Sequence, residues 1–108
     1  MPPGEEDAAD RFYAGVLGMT RVAKPSRLAG RGGCWFEIPG AQVHLGVEEH
    51  FSPARKAHPA FVVESLESLA ERLIAHGHEV IRDTQLKDHR RFYSTDPFGN
   101  RLEFLERR

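Results

Sequence analysis

His44, His58 and Glu103 are the residues of this chain whose types and placing best suit chemistry. Each is a polar interruption of a stretch that otherwise alternates like a strand. In Gln42–Val47, the residues Val43, Leu45 and Val47 take one side, while Gln42, His44 and Gly46 take the other. In Ala57–Val63, His58 shares a side with Ala60 and Val62, opposite Pro59, Phe61 and Val63. Glu103 lies within Arg101–Leu105. Two imidazoles and a carboxylate on one concave face suit a divalent transition metal, Fe(II), Mn, Ni or Zn, with positions left open for water or substrate. Each residue also has a plainer reading. His44 is then a polar residue on a wet sheet face, His58 the end of a loop before Pro59, and Glu103 a partner for Arg90, Arg91 or Arg101.

What brings the three together is a repeat. Sliding the chain against itself by 59 residues lays Gly18 on Gly77, Val22 on Ile81, Gly40 on Gly99, Val43 on Leu102, His44 on Glu103 and Leu45 on Phe104. Identity is low, but the order helix, strand, strand, turn, strand recurs. The spacing predicts two β-α-β-β-β modules, 1–50 and 56–108, in a single domain, related by a pseudo-twofold axis on which equivalent positions converge. At this offset the counterpart of His58 falls before Met1. The first module is therefore expected to lack its opening strand, through a late gene start or a real loss. The expected fold is α+β, a curved mixed sheet of seven strands with outer helices. The open edge predicts a homodimer.

The elements follow from local patterns. Ala9, Phe12, Tyr13, Val16 and Leu17 make one helical face over Glu5–Leu17, with Gly18 as the stop. A second helix is expected over Leu66–His76, capped by Ser65 and ended by Gly77, burying Leu66, Leu69, Leu73 and with them Ala70 and Ile74. Further strands are read at Met19–Ala23, Cys34–Ile38, Glu79–Asp83 and His89–Thr95, and Asp96–Asn100 is a strong turn signal. Trp35, Phe36 and Tyr93 are read as core, with pocket walls as the alternative, and Cys34 as a core residue.

Composition narrows the partners. Fifteen Lys and Arg against sixteen Asp and Glu leave a net charge of −1, which argues against a nucleic-acid or membrane-surface role. One cysteine makes no internal disulfide, and the N-terminal residues do not read as a signal peptide. The cytoplasm is the expected compartment.

Two segments carry a resemblance. Arg11–Met19 (RFYAGVLGM) resembles the helix end, and Asp96–Glu103 (DPFGNRLE) the turn and last strand, of the vicinal oxygen chelate superfamily. That superfamily includes glyoxalase I, bleomycin-resistance proteins, fosfomycin-resistance enzymes and type I extradiol dioxygenases. Ala70–Val80 (AERLIAHGHEV) fits the same pattern. The resemblance implies paired modules forming a cup around a metal. His58 matches the first-strand histidine of the second module and Glu103 the final-strand glutamate. His44 stands where glyoxalase I has a glutamate. Tyr93, ten residues before Glu103, is similar to the tyrosine of the extradiol dioxygenase signature, although His89 is not spaced as that signature requires.

Two functions are consistent with this. In one, a metal on His44, His58 and Glu103 polarises a small, oxygen-chelating substrate, with Glu103 and Tyr93 as catalytic residues. In the other, the cup binds an aromatic or hydrophobic compound without metal, as the bleomycin-resistance proteins do.

Overall fold

The computed structural model describes residues 1–107, which form two compact units, 1–52 and 53–107. Each unit packs helix against one face of an antiparallel meander, and the order of elements repeats between them. No helix among the described residues is long and apolar enough to cross a membrane.

In the first unit the predicted helix is not uniform. An α-helix, α1, spans only Glu6–Asp10, and Arg11–Val16 continues as a π-helical turn. Leu17 N donates to Phe12 O at 2.9 Å, five residues back. The wider turn lets Phe12, Tyr13 and Val16 all point inward, at the cost of turning Leu17 partly out. Gly18, at φ 78°, ends the segment. Strands β1 (Thr20–Val22), β2 (Cys34–Ile38) and β3 (Ala41–Leu45) follow in the sheet order β1-β2-β3. Phe36 and Cys34 point to the helix side and are buried, and Tyr13 stacks on Phe36 with ring centroids 5.4 Å apart. The carboxylate of Glu6 ties the helix to the β1–β2 connection by accepting from Gly33 N at 2.7 Å. Gly33 is obligatory there: its φ is +82°, and a Cβ would meet Leu45 O at 2.2 Å.

The second unit contains β4 (Ala60–Val62), α2 (Leu66–Ala75), β5 (Ile81–Asp83), β6 (His89–Thr95) and β7 (Arg101–Arg107). Its sheet order is β4-β7-β6-β5, with β4 parallel to β7 and the other pairs antiparallel. The meander β5-β6-β7 repeats β1-β2-β3. Seven strands are present among the described residues, as the repeat predicts.

Ser65 caps α2 by accepting from Ser68 N at 3.3 Å. Gly77 closes it in a Schellman motif: Gly77 N donates to Ile74 O at 3.0 Å and His78 N to Leu73 O at 2.8 Å. Leu66, Leu69, Ala70 and Leu73 are buried with Phe61, Phe92, Leu102 and Phe104 of the sheet. Ile74, read as a candidate for that face, is 58% exposed, because it lies a quarter turn off the stripe.

The strand around His58 is shorter than its alternation suggests. Only Ala60–Val62 pairs with β7, since Pro59 has no N–H to offer a ladder. His58 therefore sits just ahead of β4, anchored by Glu103 N donating to Pro59 O at 3.1 Å.

Candidate functional site

The β6–β7 turn sets the site's register. Asp96 is buried, and its Oδ1 accepts from Phe98 N and Asn100 N, both at 2.9 Å, while Asn100 Nδ2 donates to Oδ2 at 2.8 Å. With the turn locked this way, Tyr93 stands directly opposite Glu103, and β4 places Ala60 against the other edge of Glu103. Phe61, Phe92 and Phe104 go to the α2 side. The opposite face of the sheet then carries Asp83 on β5, Arg91 and Tyr93 on β6, and Arg101 and Glu103 on β7, with His58 beside them.

Four of these side chains form one line across the sheet. His58 Nε2 lies 2.9 Å from Glu103 Oε1. Arg91 Nη1 donates to Glu103 Oε2 at 3.2 Å, and Arg91 Nε donates to Asp83 Oδ2 at 2.6 Å. Arg91 Nη2 also pairs with Asp83. Glu103 has a side chain only 9% exposed, so its charge needs these partners. Burial works against the charge on Arg91, but its bonds to Asp83 and Glu103 outweigh this and hold the guanidinium more firmly protonated than usual. The Asp83 carboxyl is held below its ordinary range, first by Gln85 N and then by Arg91.

The imidazole of His58 is oriented from behind. Nδ1 donates to the Lys56 carbonyl at 2.6 Å, so Nε2 is the nitrogen presented to Glu103. Two ligands bound to one ion at about 2.0–2.2 Å in neighbouring positions stand about 3 Å apart, close to the separation of Nε2 and Oε1. A ring N–H tied to a backbone carbonyl and a second carboxylate oxygen tied to a donor are both usual outer supports of metal ligands. His58 and Glu103 therefore fit a divalent metal as a ligand pair. Within each unit, among the described residues, no three His, Cys, Asp or Glu side chains gather to hold an ion.

His44 belongs to the first unit. It lies on the face opposite Phe36, directly across from Trp35, and stacks on that indole with centroids 3.7 Å apart and planes 3° from parallel. Its Nε2 is 2.8 Å from Gln42 Oε1. Trp35 and Tyr93 are corrections to the sequence reading. Both are half-buried on the polar faces rather than in the core, because their strand positions alternate with the buried Cys34 and Phe36 and with Phe92 and Ser94. Tyr93 meets the His58 ring edge-on at 5.7 Å. Cys34 is a core residue, 1% exposed, and burial pushes its thiol up. Asp83 was not picked out by sequence reasoning. Its signal was parity: it sits two positions after Ile81, which pairs with Tyr93.

The model of the Glyoxalase/Bleomycin resistance protein/Dioxygenase superfamily matches residues 4–104. The chain belongs to that superfamily. A solved protein assigned to the glyoxalase family, from Bacillus anthracis, is 46% identical over 100% of this chain and 88% of its own, with a TM-score of 0.96. Lactoylglutathione lyase from Agrobacterium tumefaciens is 20% identical over 98% of this chain and 88% of its own, with a TM-score of 0.75. An antibiotic-binding protein from Streptomyces sp. CB03234 is 19% identical over 100% and 91%, with a TM-score of 0.74. The last two share the fold with enzymatic and binding roles respectively.

Proposed function

We propose that this chain is a divalent-metal-dependent enzyme acting on a small substrate with two adjacent oxygens. The observation that supports it most is the His58–Glu103 pair, 2.9 Å apart with both side chains braced from behind. His58 Nε2 and Glu103 Oε1 would hold the ion. Zn, Ni, Fe or Mn all suit one or two imidazoles and a carboxylate. The ion would supply Lewis acidity toward a bound oxygen. Glu103 is then a displaceable carboxylate whose Oε1 accepts a substrate proton, while Arg91 keeps Oε2 in place. Tyr93, beside His58 and opposite Glu103, borders the reacting atoms. In this reading two chains associate as a homodimer in the cytoplasm, and light scattering tests the association.

One observation favours a second reading, a metal-free small-molecule binder. Glu103 already has a charged partner, the Arg91 guanidinium on Oε2, so the buried carboxylate is paired without an ion. The two readings separate in a turnover assay. Protein loaded with each metal in turn is offered catechols and α-hydroxycarbonyl compounds. The enzyme reading expects metal-dependent product that Glu103→Gln abolishes. Binding of such compounds with no turnover under any metal supports the binder instead.

A further inference from the structure

The polar face of the second unit holds a cavity of about 370 Å³, beside but not coincident with the His58–Glu103 pair. Its volume falls within the usual range for small-ligand pockets. Tyr93 and Ile81 supply an apolar floor. They are cross-strand neighbours, and Ile81 is 52% exposed, a large apolar side chain left uncovered.

Cations dominate the wall. Arg101 lies over the Tyr93 ring, its guanidinium carbon 4.0 Å from the ring centroid. The neighbouring loop is strapped to the start of β7: Arg101 N donates to Ala54 O at 2.8 Å, and Ala54 N donates to Asn100 Oδ1 at 3.0 Å. This brings Arg55 to the same wall. The Arg101 guanidinium reaches the Arg55 carbonyl only at 3.5 Å. Arg101 and Arg55 make no ion pair among the described residues, whereas Asp83 and Glu103 are both already engaged. Glu79 also borders the cavity, so two arginines face one acid and the balance is positive. A guanidinium stacked on a ring keeps its N–H edge free, and that edge matches a carboxylate bidentately.

From this we infer that the cavity takes an organic carboxylate with a flat apolar body. The apolar body lies against Ile81 and the part of Tyr93 that Arg101 leaves open to the cavity, and the carboxylate meets Arg101 and Arg55. Arg101 and Glu103 are two residues apart on β7, about 7 Å along the strand. A carboxylate held at Arg101 therefore leaves the far end of a small ligand near Glu103. The inference rests on the reading of this face as the substrate site and names the substrate class.

Calorimetry with benzoate and its neutral isostere benzamide, in the presence of a chelator, tests it apart from any metal. The full chain is expected to bind benzoate about tenfold or more tightly than benzamide, with the preference shrinking as salt rises. Arg101→Gln should remove that preference while leaving benzamide binding nearly unchanged. Arg55→Gln, further from the Tyr93 stack, should weaken benzoate binding in the same direction, and Glu79→Gln should strengthen it. Because a chelator is present throughout, failure of the metal reading would not remove this preference. Equal affinity for the two probes, no benzoate binding, or a preference that survives both arginine substitutions would overturn the inference.

Discussion

His58 and Glu103 are 45 residues apart in the chain, yet Nε2 and Oε1 stand 2.9 Å from each other. The parallel pairing of β4 with β7 makes this meeting, since Glu103 is the register partner of Ala60, two residues after His58. Replacing His58 by alanine removes one of the proposed ligands and frees Oε1. The expected outcome is loss of bound divalent metal with the fold retained and the melting temperature lowered, because the buried Glu103 carboxylate keeps only Arg91 as a partner. Metal content and thermal melts of the variant check both halves.

Asp83 acts at one remove. It grips Arg91, and Arg91 holds the oxygen of Glu103 that does not face His58. Asp83→Asn loosens this brace while leaving His58 and Glu103, the proposed ligands, in place. Metal affinity is expected to fall about 10–100-fold, as for outer supports of metal ligands, without loss of stoichiometry at saturating ion. Titration calorimetry distinguishes weaker binding from none.

The turn after β6 has its own signature. Asp96 is buried and accepts from Phe98 N, Asn100 N and the Asn100 side chain, and Asp96→Ala removes that acceptor from each of them. A loss of about 1.5–3 kcal/mol in unfolding free energy is expected, the range for hydrogen bonds to charged groups. Denaturant unfolding measures it. A value near zero would mean the turn is held by the backbone alone.

Acid should act on the first unit through Glu6. The backbone N–H of Gly33 is the main cause that holds the Glu6 carboxyl below its ordinary value of 4.5. A carboxyl depressed by folding stabilises the folded state above its unfolded value, and the gain disappears as pH falls through the folded value. Unfolding curves from pH 7 to pH 3 should therefore show Glu6→Gln less stable than the parent at neutral pH, with the gap closing below about pH 4.

The chain's regular features were legible because local chemistry and global packing agree in them. Ser65 and Gly77 bracket α2 at the expected residues, and the 59-residue repeat anticipates the shared meander of the two sheets. Where the reading failed, a competing interaction had won. Periodicity alone could not show that Arg11–Val16 widens into a π-turn, because the same apolar residues are buried either way. Pro59 shortened β4 by denying it a donor. Trp35 and Tyr93 were read from residue type, whereas strand parity put them on the polar faces. Of the site, His58 and Glu103 were visible as interruptions of alternation. The Asp83–Arg91 brace was not, since it depends on a register that only the folded sheet fixes.

Elemental analysis tests the proposed metal site at His58 and Glu103 most directly. The protein is purified without added metal, then reconstituted with Zn, Ni, Mn or Fe(II) and desalted. About one ion per chain should remain for at least one metal, and His58→Ala and Glu103→Gln should each retain almost none. Parent protein that holds no ion under any of these conditions, or variants that hold as much as the parent, would contradict the account.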